Sequence, residues 1–210
     1  MNKRNYQREQ EAILAKLPQE KTPTLLLHAC CAPCSSYVLE YLSRYFAITI
    51  LFYNPNIAPG SEYEKRLDEI TRLIAEQPHH HPVSLMECRY DPERFYEETR
   101  GMEDLPEGGD RCTVCYRMRL EEAAKAAKDG GFDYFTTTLS ISPLKNAEKL
   151  NRIGEELAEE YGVKHLTSDF KKKEGYKRSI TLSHEYGLYR QDYCGCIFSK
   201  REAEQREARK

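Results

Sequence analysis

The feature that most constrains the fold of this chain is an alternation of short apolar segments with longer amphipathic ones. Segments rich in Leu, Ile, Val, Phe and Thr lie at positions 24–28, 47–53, 82–86, 133–139 and 163–168. Helical patterns lie between them, such as SEYEKRLDEITRLIAEQ after the second segment and NAEKLNRIGEELAEEYG after the fourth. Nearly continuous apolar strands that alternate with helices are typical of parallel sheets. The sequence therefore predicts an α/β fold, a parallel sheet flanked by helices.

The organisation of the chain indicates a single domain. With 210 residues it is long enough to bury a core without cross-links. No internal repeat, low-complexity linker or change of composition divides it. We expect a polar N-terminal extension at 1–23, an α/β domain at 24–198 and a charged C-terminal helix at 199–210.

Hydropathy and net charge bound the environment of the protein. The N-terminal segment has no apolar run of the kind found in signal peptides, and no later segment approaches 18 uninterrupted apolar residues. We therefore expect no membrane association and a cytoplasmic location. The formal net charge of −2 gives no overall attraction for nucleic acid, so RNA binding would require a local basic patch.

Cysteine is the residue type that points most directly to chemistry. The chain has eight cysteines, and in a reducing cytoplasm metal binding or redox chemistry explains them better than structural disulfides. Seven of them lie in the three motifs HACCAPC, RCTVCY and YCGC, as Cys30, Cys31 and Cys34, Cys112 and Cys115, and Cys194 and Cys196. The eighth, Cys88, is interpreted as a small buried apolar side chain.

The first two motifs are expected at the starts of helices. Pro33 suits the first turn of a helix, where free backbone amides and the helix dipole favour thiolates. Cys112 and Cys115 are three positions apart and therefore share one helical face. Four thiolates from two motifs suit a structural zinc site, a thiolate-bound iron–sulfur cluster or redox pairs. The residues alone leave these alternatives open.

The third motif differs from the other two because one glycine separates its cysteines. A disulfide between Cys194 and Cys196 closes a very small ring, which makes ideal disulfide geometry difficult even with the freedom of Gly195. Strained disulfides are easily reduced. We interpret the pair as a store for two electrons, with metal ligation as the alternative.

A basic, tyrosine-rich segment predicts a contact with RNA. KKKEGYKRS continues toward YGLYRQDYCGC, so that basic side chains alternate with aromatic rings. This combination suits an RNA loop with splayed bases, and a solvated surface is the alternative. The residues expected to contact RNA are Lys171, Lys172, Lys173, Tyr176, Lys177, Arg178 and Arg190.

Three residues near the cysteine motifs have candidate roles. His28 is interpreted as a hydrogen-bonded histidine at the edge of the core. Asp110 is a candidate metal ligand or proton donor, with a helix cap as the alternative. Lys145, in SPLK, would bind a phosphate or end a loop. The chain has neither a dinucleotide-binding glycine loop nor a P-loop, so electrons would come from metal, thiols or an external donor.

Taken together, the motifs resemble the QueH-type epoxyqueuosine reductases. The resemblance rests on HACCAPC, CTVCYRMRL, SPLKN, KKKEGYKRS and LYRQDYCGC and extends from about residue 24 to 198. It implies a nucleotide-hydrolase-like (HUP) α/β fold. It also implies reduction of epoxyqueuosine to queuosine at the wobble position of tRNA for Asp, Asn, His and Tyr, the last step of queuosine biosynthesis.

The resemblance also implies cofactors, partners and residue roles. A [4Fe–4S] cluster would be bound by Cys30, Cys31, Cys112 and Cys115. An adjacent mononuclear iron would have Cys34 or Asp110 as a ligand. Cys194 and Cys196 would form the redox-active pair. Apart from the resemblance, loss of the epoxide oxygen requires a proton donor, and Asp110 or a tyrosine is our candidate. The partners implied are a tRNA anticodon loop that carries epoxyqueuosine and an external electron donor of unknown identity.

Two functions from other classes compete with this interpretation. A thioredoxin-like thiol oxidoreductase would explain a strand followed by CAPC and a helix, and it predicts that Cys112 and Cys115 are dispensable. A zinc-stabilised tRNA-binding protein would explain the cysteines together with the basic segment, and it predicts a colourless protein.

Overall fold

A sheet of five parallel strands forms the centre of the computed structural model, which describes residues 4–18 and 20–208. The strands β1 to β5 are Thr24–His28, Ala47–Leu51, Val83–Met86, Tyr134–Thr137 and Lys164–His165. Their order is β3-β2-β1-β4-β5, and every pairing is parallel. The structure thus confirms the predicted single-domain α/β fold, and it is consistent with a HUP-like organisation.

Helices surround this sheet on both faces. The α-helices described, α1 to α8 in chain order, are Tyr6–Leu14, Ala32–Leu42, Gly60–Glu76, Pro92–Glu98, Asp110–Asp129, Ala147–Tyr161, Gly175–Glu185 and Ile197–Glu207. A short 3-10 helix, Thr138–Ile141, directly follows β4. No helix among the described residues combines the length and the apolar character that a membrane crossing requires.

Two core clusters lie on the opposite faces of the sheet. Leu26 and Phe135 pack toward α5 and α6, whereas Leu25 and Leu27 pack toward α2 and α3. Successive residues of a strand point to opposite faces, so the three leucines of the central strand β1 serve both clusters. All three are fully buried, and each contributes roughly 1.5–3 kcal/mol of hydrophobic stabilisation.

Two segments of polar composition contain helices. Helix α1 lies where a polar extension was expected, and it buries Tyr6, Gln10 and Leu14. Helix α7 takes up most of the basic segment and packs against α2, with Leu182 and Ser183 buried. A narrow buried stripe is enough to hold a polar helix against a domain, which is why composition concealed α1.

The strand order places two loops side by side at one edge of the sheet. The chain winds in one direction from β1 through β2 to β3 and in the other through β4 to β5, and a crevice opens where the direction changes. The backbone N–H of Cys30, after β1, donates to Thr138 Oγ1, after β4, at 3.4 Å. The loops after β1 and β4 therefore meet at one edge of the sheet.

Candidate active site

Three cysteines form a compact group, the thiol trio, at the carboxyl end of β1. The sulfurs of Cys30, Cys31 and Cys34 all lie within 4.8 Å of one another. Cys31 is the N-cap of α2, and its sulfur accepts a hydrogen bond from the backbone N–H of Cys34 at 3.4 Å. The strand end and the first helical turn thus hold the three sulfurs at a spacing that suits a thiophilic metal.

Ionisation of the trio is strongly uneven. The pKa of Cys30 is lowered well below its usual value because Cys31 and Cys34 hydrogen-bond to its sulfur. Burial raises the pKa of Cys31 to about 12. The pKa of Cys34 is raised through its hydrogen bonds with the other two sulfurs and through burial. A bound metal replaces the thiol protons, so these sulfurs are better suited to sharing a cation than to ionising alone.

Four further cysteines line a narrow gap beside the trio. Cys112 and Cys115 are buried at the start of α5, and Cys194 and Cys196 lie opposite them along the same gap. The expected placement of Cys112 and Cys115 at the start of a helix is confirmed, since α5 begins at Asp110. Burial raises the pKa of Cys115 to about 12.

The four predicted cluster ligands lie in two neighbouring groups of sulfurs. Cys30 and Cys31 belong to the trio, whereas Cys112 and Cys115 line the gap with the C-terminal pair. All four pack within the same core cluster. The predicted ligand set therefore stays a prediction. It is supported by the packing of the four cysteines in one core cluster, and not by an observed coordination geometry.

A buried arginine, Arg119, lies close both to the trio and to the cysteines that line the gap. Arg119 is 1% exposed, donates to Cys115 Sγ at 3.9 Å and to Asn54 Oδ1 at 2.6 Å, and lines the same cavity as Cys30. A buried guanidinium requires negative partners, because its desolvation is expensive. Ionised sulfur, or a thiolate-bound metal group of net negative charge, would supply that partner.

A second buried arginine approaches the site from α3. Arg66 donates through Nε to Glu62 at 2.7 Å and through Nη1 to the backbone carbonyl of Cys194 at 3.2 Å. Its Nη2 and the nearby Asn56 Oδ1 are buried, and neither has a hydrogen-bond partner among the described residues. Buried polar atoms without partners are rare in native proteins, so their presence here fits a site that holds an additional group.

His28 has a structural position beneath the trio. Its Nδ1 lies 2.9 Å from Thr137 Oγ1, and Arg119 Nε donates to its Nε2 at 3.3 Å. Burial, followed by the charge of Arg119, lowers the pKa of His28 to about 3. The ring is thus neutral near pH 7, in agreement with the interpretation of His28 as a hydrogen-bonded histidine.

A cavity of about 370 Å³ opens in front of the thiols. Cys30, Cys34 and Cys194 line its inner part, while Tyr176 and Arg190 are exposed at its rim. Its volume falls in the range of small-molecule sites. The cavity can therefore bring one group of a substrate into contact with both the trio and the C-terminal pair.

Lys145 adds a buried positive charge to this cavity. Its side chain is 6% exposed, and its Nζ donates to Cys194 Sγ at 3.0 Å and to Glu107 Oε1 at 3.0 Å. Neither of the roles expected from the sequence, phosphate binding or loop ending, anticipated this contact with a cysteine. The structure instead places Lys145 among the sulfur groups.

The C-terminal pair lies in a loop anchored by other segments. Gly195 has a φ of +131°, a conformation that favours glycine, and its carbonyl accepts a hydrogen bond from the Ala58 N–H at 2.9 Å. All eight cysteines are free thiols in the structure. A disulfide between Cys194 and Cys196 accordingly stays a prediction for the oxidised protein.

The residues predicted to contact RNA separate into two groups. Tyr176 and Arg190 line the cavity, and Lys171 and Lys172 line a neighbouring groove that shares Lys145 with it. The remaining three, Lys173, Lys177 and Arg178, line neither of these spaces and pair with glutamates. Lys171 also has an acidic partner, Asp169, at 2.5 Å.

Arg178 is the most strongly paired member of the second group. It donates to Glu40 on α2 at 2.6 Å and to Glu185 on α7 at 3.0 Å. The pair with Glu40 connects the two helices, whereas the pair with Glu185 lies within α7. Both pairs favour a structural role for Arg178, whereas Tyr176 and Arg190 are better placed for a ligand in the cavity.

Asp110 and Cys88 lie away from the cavity. Asp110 is the exposed first residue of α5 and is not among the described residues that line the cavity. The catalytic role of Asp110 stays a prediction, and its position outside the cavity does not support that role. Cys88 is half-buried rather than buried, and its sulfur lies 4.0 Å from the Tyr63 hydroxyl, apart from both thiol groups.

Sequence reasoning missed several residues of the site. Arg119 had a detectable signal, because it follows Cys115 by four positions and so lies on the same helical face. Glu107 and Arg206 line the cavity but carry no motif. Arg206 belongs to α8, so the charged C-terminal helix forms part of the cavity wall.

The fold and the site together define a protein of the parallel α/β class with a thiol-rich centre. A sequence model of the family described as "Epoxyqueuosine reductase QueH" matches residues 25–202. The chain belongs to this family, as the resemblance of its motifs indicated.

Curated relatives with the same description support this assignment. The chain is 42% identical to "Epoxyqueuosine reductase QueH" of Streptococcus pyogenes serotype M1, over 93% of this chain and 78% of the relative. For the protein of that name from Staphylococcus epidermidis the identity is 43%, over 93% and 84%. For that of Thermotoga maritima it is 37%, over 88% and 94%.

Proposed function

We propose that this protein reduces epoxyqueuosine to queuosine at the wobble position of tRNA for Asp, Asn, His and Tyr. The relatives carry the name of this activity. The observation in the structure that carries the proposal is a single cavity bordered by Cys30, Cys34 and Cys194 and open to Tyr176 and Arg190. One end of this cavity offers redox-capable sulfur, and the other offers groups that can bind a nucleotide.

The thiol pair can balance the proposed reaction. Removal of the epoxide oxygen consumes two electrons and two protons and yields an alkene and water. Oxidation of Cys194 and Cys196 to a disulfide breaks two S–H bonds, forms one S–S bond and releases two electrons and two protons. An external reductant must then reduce the disulfide before the next turnover.

The donor set fits an iron–sulfur cluster. We infer a [4Fe–4S] cluster held by Cys30, Cys31, Cys112 and Cys115, with Cys34 and Asp110 as candidate ligands of an adjacent iron. When bound, such a group supplies electron transfer and Lewis acidity. The buried Arg119 and the unpaired Nη2 of Arg66 support this inference, since both favour negative charge in the centre.

The chain itself would bind the base, exclude water and deliver a proton. Residues that line the cavity are better placed than Asp110 to protonate the departing oxygen. Tyr193 and Lys145 both line it, and the Tyr193 hydroxyl donates to the Ala58 carbonyl at 3.3 Å. Tyr193 is therefore our candidate for that role, ahead of Asp110, because Lys145 is a cation held by Glu107 and Cys194.

RNA would reach the cavity through an unpaired anticodon loop. Single-stranded loops can present a splayed base to a pocket, where aromatic rings stack on it and basic side chains bind phosphates. Tyr176 is available for stacking, and Arg190, Lys171 and Lys172 border the cavity and its neighbouring groove. We assign phosphate contacts to these three cations and none to Arg178.

We also propose boundaries for the segments of the chain and a cellular compartment for the protein. We assign 24–198 as the catalytic iron–sulfur domain, 1–23 as a flanking extension and 199–210 as a charged helix. Arg206 lines the cavity, so this last segment contributes to the site. Reduced thiols of this number favour a cytoplasmic location.

The deciding experiment combines metal analysis with turnover. Anaerobically purified protein should be brown, contain about four iron and four sulfide per chain or somewhat more iron, and convert epoxyqueuosine to queuosine in tRNA. Nucleoside mass spectrometry measures that conversion. Colourless protein that holds only zinc after anaerobic reconstitution would refute the proposal in favour of a zinc-stabilised tRNA-binding protein.

A double variant tests the role of the thiol pair. Cys194→Ser with Cys196→Ser should keep the iron content and lose oxygen removal, because the two-electron store is gone. Cys88→Ser is the matched control, since its sulfur lies outside both thiol groups. Full activity of the double variant with an artificial reductant would exclude the pair from the reaction.

A further inference from the structure

We propose that Cys194 is the attacking sulfur of the C-terminal pair, that Cys196 is the resolving sulfur, and that Lys145, held by Glu107, is the positioning residue for Cys194. The inference rests on the proposed function, because it assigns a direction to the redox pair. The YCGC motif alone does not distinguish Cys194 from Cys196, and the proposal gives each of them a different role.

The two sulfurs of the pair have different surroundings. Cys194 is half-buried and lines the 370 Å³ cavity. Cys196 is 8% exposed and caps α8, where its sulfur accepts the Ser199 N–H at 3.4 Å. A substrate or an external thiol in the cavity therefore meets Cys194 first, while Cys196 is held against its own helix.

Lys145 contacts one sulfur of the pair in particular. Its ammonium lies 3.0 Å from Cys194 Sγ. No hydrogen bond joins Lys145 to Cys196 among the described residues. An ammonium at hydrogen-bonding distance stabilises negative charge on sulfur, and the thiolate is the nucleophilic form of cysteine. This contact thus favours Cys194 as the sulfur that attacks.

Glu107 keeps the ammonium in place. Its carboxylate accepts from Lys145 Nζ at 3.0 Å, and its backbone N–H donates to Glu202 of α8 at 3.4 Å. Burial opposes the charge of Lys145, but its interactions with Cys194, Tyr116 and Glu107 outweigh burial, so its pKa is raised. Lys145 consequently remains a cation that can donate to both partners.

The backbone of Cys194 is held from the opposite side. Its carbonyl accepts from Arg66 Nη1 at 3.2 Å, and the next carbonyl, of Gly195, accepts from the Ala58 N–H at 2.9 Å. The main chain is therefore fixed by α3 and the segment before it, while the side chain meets Lys145. This arrangement holds the sulfur at the wall of the cavity.

The assignment predicts the order of the steps by which an external donor reduces the Cys194–Cys196 disulfide. In the reduced pair Cys194 is the sulfur that attacks, and in the disulfide the same accessible sulfur is the one that is attacked. An external dithiol therefore forms a mixed disulfide at Cys194 and releases Cys196 as a thiolate. The second thiol of the donor then displaces Cys194, so the donor ends as a disulfide and the pair as two thiols. Two electrons and two protons pass from the donor to the pair.

Thiol labelling measures the asymmetry directly and without RNA. Reduced, iron-loaded protein is treated anaerobically with limiting iodoacetamide, and each cysteine is quantified by peptide mass spectrometry. We expect Cys194 to be alkylated about tenfold faster than Cys196, or more. Cys196→Ser should also form a stable mixed disulfide with 5,5′-dithiobis(2-nitrobenzoate) at Cys194, whereas Cys194→Ser should not form one at Cys196.

Substitutions of Lys145 and Glu107 test the positioning role. Lys145→Met should slow the alkylation of Cys194 by about tenfold, and Lys145→Arg should restore most of the rate, because a cation remains. Glu107→Gln keeps the shape of the side chain and should slow the reaction by a smaller factor. Iron content and circular dichroism report whether each variant is folded.

Each result decides between the inference and its rivals. Equal labelling of the two cysteines, or faster labelling of Cys196, would overturn the assignment of the attacking sulfur. An unchanged rate in folded Lys145→Met would overturn the role of Lys145. The proposed function fails separately, if the unsubstituted protein leaves epoxyqueuosine in tRNA unchanged, whatever the labelling pattern.

Discussion

The thiol trio and the C-terminal pair border the same cavity but are held in place in different ways. Cys31 and Cys34 are positioned by local structure, the end of a strand and the first turn of a helix, within one short motif. Cys194 is positioned by Arg66 and Lys145, which come from distant parts of the chain. Local geometry therefore builds the group suited to metal, and tertiary contacts build the group suited to redox exchange.

This difference teaches that the two groups should fail in different ways. Loss of a sulfur from the trio would remove a ligand atom of the proposed metal site. Loss of a contact around the pair leaves both sulfurs present and changes only their exposure and reactivity. Metal content and thiol reactivity are thus separate measurements of the two regions.

The largest expected effect separates the groups by metal content. Cys30→Ser should abolish stoichiometric iron binding, because it removes a buried sulfur from the trio and from the proposed cluster ligands. Cys194→Ser should retain iron. Iron and sulfide analysis of anaerobically prepared variants, with Cys88→Ser as the control, provides the measurement. Retention of full iron by Cys30→Ser would remove the trio from the metal site.

The next effect tests whether the buried charge of Arg119 supports the proposed metal site and the fold. Arg119→Met should weaken metal binding by about 10- to 100-fold, as expected when a supporting contact around a metal site is lost. It should also destabilise the fold by about 1–3 kcal/mol, because Asn54 Oδ1 loses its buried donor. Chelator competition and urea unfolding measure the two quantities.

Arg117→Met is the matched control for this substitution. Arg117 lies on the same helix but is exposed, and it pairs with Glu156 and Glu160 at the surface. Surface ion pairs contribute little to stability, so this variant should change neither quantity by more than about 1 kcal/mol or the equivalent affinity. Equal effects of the two substitutions would show that the buried position of Arg119 has no special role.

A smaller effect should be confined to the pair. Gly195→Ala introduces a side chain at φ +131° and places its Cβ 3.0 Å from Ile57 and 3.2 Å from the Arg66 guanidinium. We expect destabilisation of about 1–3 kcal/mol and altered labelling of Cys194, with normal iron content. Gly101→Ala, at φ +80° with no neighbour within 4 Å, separates backbone strain from contact. Iron loss in Gly195→Ala would contradict the independence of the two groups.

The smallest expected effect concerns neither thiol group. Burial lowers the pKa of His165 to about 3, so between pH 6.5 and that value the unfolded state binds the additional proton. Stability should therefore decrease as pH falls, by about 1 kcal/mol between pH 6.5 and 5.5 from this residue. His165→Gln should reduce the slope of the urea-unfolding free energy against pH. An identical slope would exclude His165 as its source.

Sequence alone was sufficient where short-range patterns determine the structure. The five apolar segments identified the strands, and the CAPC motif placed Pro33 in the first turn of a helix. The spacing of Cys112 and Cys115 predicted that both belong to one helix, and both lie near the start of α5. In each case the determining residues lie within one or two turns or a single strand, so local rules apply.

Other features depended on contacts that no local pattern encodes. Helix α1 has so few apolar residues that only its packing against the domain distinguishes it from a polar tail. Lys145 and Cys194 come together through the fold, and neither motif predicts the other. The burial of Arg119 likewise follows from the position of α5 on the sheet and from its partners, not from its residue type.

The position of the two sulfur groups along the chain has a consequence for biosynthesis. The trio follows the first strand, whereas the pair and Arg206, which complete the wall of the cavity, come close to the other end of the described chain. A ribosome makes the polypeptide in that order. In a nascent chain the trio is thus made before the segments that complete the wall of the cavity in front of it.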